Sequence, residues 1–218
     1  MRGILIPVKE FHEAKKRLAS HFGPADRAAL AEAMCQDFFD VVAATRCADR
    51  VFVISKEPMA LSRARKFGWE TIVETTQISE SDSVDAGSRH CADRGIEALL
   101  RLPIDLPLVE PTDIDAVFQH LDAAPSVVVV PSGDGTGTNA LLRTPVMLFP
   151  SHFGPNSFPQ HLAEAQKCGA RTYVYRNSRL ELDIDELEDL RKLGNRLKQG
   201  SATANWLMDH DLCSISAG

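Results

Sequence analysis

The sequence predicts an α/β protein built on a mostly parallel sheet with helices on both faces. Three observations carry this. Short β-branched apolar runs alternate with stretches of helical periodicity along the chain. One run, Ser126 to Val130, holds four consecutive valines, the mark of a strand covered on both faces. The 218 residues are 44% hydrophobic and 25% charged, an ordinary mixture that can bury a core without disulfides.

Ile4 to Val8 reads as the first strand, ended by Lys9. Pro24 to Thr45 reads as a helix, with Leu30, Met34, Phe38, Val41 and Val42 near helical spacing. Val51 to Ile54 is a second strand, Pro58 to Phe67 a helix closed by Gly68, and Glu70 to Val73 a third strand. Asp82 or Ser83 is placed to cap a helix reaching about Glu97, and Ala98 to Leu102 is a fourth strand. Thr112, after Pro111, is placed to cap the next helix, which the valine strand follows. The second half adds a Gly-rich loop from Gly133 to Gly137, a helix from Ser157 to Cys168 and a strand around Tyr173 to Tyr175. An extended piece, Leu180 to Ile184, then leads into a short helix ending at Leu193. No repeat, low-complexity segment or linker divides the chain, so residues 1–218 are expected to form one domain. The stretch from Asn195 to Gly218 is amphipathic and suited to packing on the core or on a partner subunit.

The net charge of −6 argues against nucleic acid or an anionic membrane as a partner. Cys35, Cys47, Cys91, Cys168 and Cys213 are scattered and odd in number, which fits thiols in a reducing compartment. Met1 to Lys9 is too short for a signal peptide and no later stretch has the length of a membrane span, so a cytoplasmic protein is expected.

In open parallel sheets ligands collect outside the carboxyl ends of the strands. This brings Lys9, Asp105 and the Gly133 to Asn139 loop to one edge. Lys9, Lys15, Lys16 and Arg17 concentrate positive charge in an otherwise acidic chain, as an anion site requires. Asp105 stands in a turn between Pro103 and Pro107, where a rigid carboxylate can hold magnesium together with substrate phosphates. Gly133-Asp134-Gly135-Thr136-Gly137-Thr138-Asn139 offers close backbone approach, two threonine hydroxyls and the Asn139 amide. It lacks the lysine of a P-loop, and its third glycine is misplaced for a dinucleotide fingerprint. A plain hairpin turn is the simpler alternative for it. Asp183 and Asp185 alternate on an extended piece and so face one side, ready to share a cation, although acidic residues also favour a helix start. Phe153-Gly154-Pro155-Asn156-Ser157-Phe158 is a sharp turn feeding a helix N-terminus, with Ser157 as a cap and exposed amides suited to an anion. Cations for a triphosphate, carboxylates for a metal and a cradle for an attacking phosphate make up what nucleotidyl transfer needs. The histidines and cysteines form no nucleophile or metal-ligand pattern.

Taken together and in this order, these strings resemble the CofC/FbiD-type guanylyltransferases, which make a building block of the deazaflavin coenzyme factor 420. The resemblance covers nearly the whole chain. It is carried by Ile6-Pro7-Val8-Lys9, Ala14-Lys15, Arg17-Leu18, Asp105-Leu106-Pro107, Gly135-Thr136-Gly137-Thr138-Asn139-Ala140-Leu141, Phe153-Gly154-Pro155 with Ser157-Phe158 and His161, and Leu182-Asp183-Ile184-Asp185. It implies a nucleotidyltransferase fold of the glycosyltransferase-A, Rossmann-like kind, GTP as donor and pyrophosphate as leaving group. It implies that Asp105, Asp183 and Asp185 hold Mg2+, and that Thr138, Gly154 and Ser157 meet the phosphate and carboxylate of a small phosphorylated acid. Lys9, Lys15 and Arg17 are then the expected triphosphate ligands, from their charge and position. One segment departs from the family pattern: Val84-Asp85-Ala86-Gly87-Ser88-Arg89-His90-Cys91 places Asp85 where an asparagine is common, exchanging an amide donor for an anion. That altered segment tilts the expected acceptor toward 3-phosphoglycerate, over phosphoenolpyruvate or 2-phospholactate, although Arg89, His90 and Cys91 also suit an ordinary helix. A metal-dependent nucleotide-sugar glycosyltransferase and a non-catalytic GTP sensor are the competing readings. A homodimer, and hand-off of a labile product to a downstream deazaflavin transferase, are compatible with the sequence.

Overall fold

A computed structural model describes residues 1–193 and 196–212. Seven strands form one sheet in the order β3-β2-β1-β4-β6-β5-β7. They are β1 Arg2–Val8, β2 Arg50–Ser55, β3 Glu70–Val73, β4 Ala98–Arg101, β5 Ser126–Pro131, β6 Thr138–Thr144 and β7 Arg171–Val174. The helices are α1 Pro24–Ala43, α2 Pro58–Lys66, α3 Glu80–Asp93, α4 Pro111–Gln119, α5 Ser157–Lys167, α6 Leu187–Leu193 and α7 Ala202–Asp209. All neighbours pair in parallel except β6, which runs antiparallel between β4 and β5. Because β5 pairs antiparallel with β6, β5 itself keeps the direction of β4. Its carboxyl end therefore lies on the same edge as those of β1 and β4, the arrangement on which the clustering expectation depended.

The strands are apolar on both faces because both faces are covered. Ile4, Ile6 and Val8 pack with Val128, Val130, Phe38, Phe39, Val117 and Phe118 on the α1 and α4 side. Leu5, Phe52 and Ile54 face Val84 and Cys91 of α3, and Val127, Val129 and Leu141 meet Ala165 of α5.

Several boundaries differ from the sequence expectation for local reasons. The third helix starts at Glu80 because Ser79, not Asp82 or Ser83, is its cap: the Ser79 hydroxyl accepts the Asp82 amide at 3.1 Å. It stops at Asp93, before Gly95 at φ +79°. Pro111 occupies the first helical position of α4 with Glu110 before it, so Thr112 does not cap. Asn156, in a left-handed conformation, precedes α5, and Ser157 is its first helical residue. Strand β6 was not expected. Its Thr-Asn-Ala-Leu-Leu-Arg-Thr run breaks the apolar pattern with Arg143, which is buried and donates to the Phe149 carbonyl at 2.5 Å and Ser88 Oγ at 3.2 Å. The amphipathic tail packs on the core: Trp206 and Leu207 of α7 join Leu30 and Met34 of α1. Asp37 accepts the Ala202 and Thr203 amides at 2.8 Å each, closing the start of α7. Cys213 and the end of that tail lie outside the described residues.

One buried carboxylate ties the Asn177 to Arg179 segment to α4. Asp113 in α4 receives Arg179 Nε at 2.7 Å, Arg179 Nη2 at 2.5 Å and Asn177 Nδ2 at 2.8 Å, so it anchors the segment leading to Asp183. Burial alone would raise its pKa, but Arg179, the Glu110 amide and Asn177 outweigh burial and lower it. The Asp113→Ala variant is expected to lose about 3 kcal/mol in thermal or urea unfolding at neutral pH. Because the folded carboxyl ionises below the ordinary aspartate value, this difference shrinks as pH falls from that value through the folded one.

Candidate active site

The carboxyl edge of the sheet opens into two adjoining cavities. The smaller, about 340 Å³, is lined by the β1 end (Pro7, Val8, Lys9), the Glu13 to Arg17 segment, Gln77, Glu80, Ser83, Arg101 and the Pro103 to Asp105 turn. The larger, about 700 Å³, is lined by Ser132 to Asp134, Thr136 to Asn139, Phe153 to Ser157, and Glu181 to Asp183 with Asp185. Lys9, Arg17, Glu80, Arg101, Asp105 and Asp185 border both. The structure thus brings every candidate catalytic, binding or metal-holding residue to this edge except Asp85.

Three chain segments meet around Lys15. Its ammonium, 3% exposed, donates to Asp105 Oδ1 at 2.5 Å and to the Ile184 carbonyl at 2.6 Å. The Ile184 amide in turn donates to the Asp105 carbonyl at 3.1 Å. Ile184 is fully buried against Leu18, Leu30 and Leu190, and this turns its neighbours Asp183 and Asp185 toward the cavities. Lys15 reaches its partners from a left-handed backbone, φ 55° and ψ 36°, a strained state for a residue with a side chain. Arg17 Nη1 donates to Asp185 Oδ2 at 2.9 Å, and Asn139 Nδ2 to Asp183 Oδ1 at 3.1 Å.

Burial raises the pKa of Asp183 and of Asp185, and charge repulsion from Asp105 adds to both. The donor set is therefore hard anionic oxygen in which carboxylates repel one another, which fits a divalent cation. Among the described residues no three acidic, histidine or cysteine side chains close around a single point. An ion here would be held by one or two of these carboxylates and completed by phosphate oxygens of a substrate.

The facing wall is a hairpin tip against a helix start. Asp134 organises the tip: Ser132 Oγ donates to it at 2.5 Å, the Thr136 amide at 2.9 Å and Thr136 Oγ1 at 2.8 Å. These bonds, Ser132's first, lower its pKa to about 2. The Gly-rich loop is thus a hairpin connection as well as a cavity wall. A side chain at Gly137 would meet Ser132 Oγ at 2.9 Å. Gly154 has φ +125°, a conformation only glycine holds without strain, and its carbonyl accepts the Ser157 amide at 3.2 Å. The Phe158 amide donates to the Thr136 carbonyl at 3.1 Å, locking the hairpin to α5. Thr138, Asn139 and Ser157 are all buried at this junction.

Asp85 stands elsewhere. Its carboxylate accepts the Ser151 amide at 3.0 and 3.3 Å and steadies the loop leading to Phe153 and Gly154, without lining either cavity.

Sequence reasoning missed Arg101 and Glu80. Arg101 is 4% exposed, pairs with the Glu80 carboxylate, and donates to the Thr138 and Asn139 carbonyls at 3.3 Å each. Its guanidinium also lies 4.0 Å from the Phe153 ring centre. Burial lowers its pKa to about 9, so it remains a cation at neutral pH in the wall between the cavities. The available signal was an arginine ending an apolar strand four residues before Asp105.

Raised carboxyl pKa values mean that ionised Asp183 opposes folding at neutral pH. Asp183→Asn, which keeps an acceptor for Asn139, is expected to raise the melting temperature of the ligand-free protein at pH 7. This gain should vanish as acid protonates the wild-type carboxyl, which calorimetry at both pH values would show.

The family described as guanylyl transferase CofC like matches residues 1–209 of the chain. The chain is 37% identical over 191 residues to a phosphoenolpyruvate guanylyltransferase of Rubrobacter xylanophilus, covering 87% of this chain and 91% of that protein. It is 32% identical over 189 residues to a 2-phospho-L-lactate guanylyltransferase of Methanothermobacter thermautotrophicus, covering 87% and 82%. Among solved structures, a chain assigned to the nucleotide-diphospho-sugar transferases from Desulfovibrio desulfuricans superposes with a TM-score of 0.76 at 16% identity, covering 97% of this chain and 96% of that one. A nucleotidyl transferase of Methanothermobacter thermautotrophicus follows at a TM-score of 0.65 and 15% identity, covering 96% and 99%. At such identities these two likenesses speak for the nucleotidyltransferase fold alone. The whole-chain match and the two relatives above 30% identity establish that this chain belongs to the CofC-like guanylyl transferase family.

Proposed function

We propose that this protein transfers the guanylyl group of GTP to the phosphate of a small three-carbon phospho acid, releasing pyrophosphate, in the assembly of the deazaflavin coenzyme. The observation that carries the reading is the pair of cavities sharing one wall of opposite charges. One is flanked by Lys9, Lys15 and Arg17 and the other by the Thr138, Gly154 and Ser157 cradle, with Asp105 and Asp185 between them. The donor's triphosphate would lie along the basic segment and the acceptor against the hairpin and the α5 start, which brings the attacking phosphate to the common wall. Lys9 and Arg17 would neutralise the triphosphate, and the amides and hydroxyls of the cradle would orient the acceptor's oxygens. Mg2+ held by one or two of Asp105, Asp183 and Asp185, with substrate phosphates completing its shell, would offset negative charge on the reacting phosphates. Segments spread from Pro7 to Lys192 line this edge, in keeping with one catalytic domain. Among the described residues no helix is long and apolar enough to cross a membrane.

Phosphoenolpyruvate takes first place among acceptors because the relative at 37% identity is named for it. The alternative, 3-phosphoglycerate, rested on Asp85, and that carboxylate is occupied by the Ser151 amide. Pyrophosphate release from GTP and Mg2+ should appear with one of phosphoenolpyruvate, 3-phosphoglycerate and 2-phospholactate, and not with ATP. Silence with all three would end this proposal. Asp105→Ala should lower turnover at least about a hundredfold, whereas Ser157→Ala should raise the acceptor KM well above its effect on the GTP KM.

A further inference from the structure

His161 is fully buried, one helical turn after Ser157 in α5, and belongs to no step described so far. Its ring makes two hydrogen bonds to two different parts of the cradle. The backbone amide of His152 donates to Nε2 at 3.0 Å, and Nδ1 lies 2.9 Å from Thr138 Oγ1. A ring nitrogen that accepts an amide N–H carries its lone pair there, so the proton of the ring sits on Nδ1. Nδ1–H then donates to Thr138 Oγ1. A hydroxyl that accepts from the protein on one side has its own proton left for another partner, and Thr138 lines the larger cavity.

From this geometry we infer that His161 is the positioning residue of the acceptor cradle. Fixed as its Nδ1–H tautomer, it takes up a lone pair of Thr138 Oγ1 and aims the Thr138 hydroxyl proton at an anionic oxygen of the bound acceptor. The inference rests on the proposed reaction for the identity of that anion, but the tautomer does not depend on it. His161 also spans the cradle: Thr138 opens β6, His152 begins the loop to Gly154, and α5 carries Ser157. Phe153, with its ring 5.0 Å away edge-on, and Phe149 at 6.2 Å enclose the imidazole. Burial, together with the positive charges of Arg143 and Arg101, lowers its pKa to about 3. The ring therefore stays neutral at working pH, and Thr138 faces a constant donor. An imidazolium would set an N–H against the His152 amide and add a charge to a site whose cations are already placed.

Two measurements on the full-length protein test this. The first is 15N NMR of the histidine side chains with inorganic phosphate as the anion probe. The expected result is a proton on Nδ1 of His161, none on Nε2, and no titration between about pH 5 and 8. Phosphate should perturb this ring in the wild type and not in Thr138→Val. A proton on Nε2, or ordinary titration, overturns the inference whether or not the enzyme turns over. The second is steady-state pyrophosphate release. His161→Phe should raise the acceptor KM about tenfold, the worth of one lost hydrogen bond, and leave the GTP KM unchanged. His161→Gln, which can donate to Thr138 and accept from His152, should recover most of the loss. The Thr138→Val, His161→Phe double variant should be no worse than Thr138→Val alone. An active His161→Phe protein with an unchanged acceptor KM, or additive losses in the double variant, overturns it. Absence of turnover in the wild type with every acceptor would count against the proposed reaction, and the NMR result would then decide the tautomer by itself.

Discussion

The buried ammonium of Lys15 is the contact on which the site depends. It joins the segment after β1, the turn after β4 and the extended piece before α6, three stretches far apart in the chain. Ile184 completes the knot from the backbone side, since its amide donates to the Asp105 carbonyl while its carbonyl receives Lys15. Desolvating an ion pair recovers little net stability, so its main consequence is order: breaking either partner strands a charge. The left-handed backbone at Lys15 points the same way, because strain of that kind persists only where the surroundings overdetermine it.

Given that knot, the electrostatics of an acidic protein become workable for anionic ligands. Lys9, Lys15, Arg17 and Arg101 are drawn to one edge of the sheet, where they stand among Asp105, Asp183 and Asp185. Neither sign dominates the common wall. Asp183 and Asp185 are uneasy there, as their raised pKa values express, and a ligand that brings positive charge relieves them. Stability given up by such groups in the empty protein is stability that binding can restore.

The opposite wall is rigid for a different reason. It uses glycine for two different reasons: a side chain at Gly137 would crowd Ser132, and Gly154 takes φ +125°, which side chains rarely adopt. Asp134 ties the hairpin tip, and the amide of Phe158 pins the hairpin to α5. An antiparallel strand between β4 and β5 makes this possible. By reversing direction, β6 begins at the functional edge and brings Thr138 and Asn139 to it, next to the end of β4 and its Arg101.

The sequence by itself determined the α/β class, the strands β1 to β5 and β7 to within a few residues, and the short segments that gather at the site. These are local matters: β-branched runs, helical spacing, glycine and proline turns. It also located the alternation at Asp183 and Asp185, since period two is visible without knowing what buries Ile184. Only the tertiary structure decided the rest. Strand β6 was hidden because Arg143 interrupts its apolar run, and an arginine becomes acceptable in a central strand only when Phe149 and Ser88 satisfy it. Arg101 and Glu80 look like unrelated surface charges until β4 and α3 bring them together. Asp85 looked like a ligand residue because its neighbours in sequence could not show that the Ser151 amide, sixty-six residues away, occupies it. Partners so distant in the chain leave no periodic trace, and their meeting is fixed by packing.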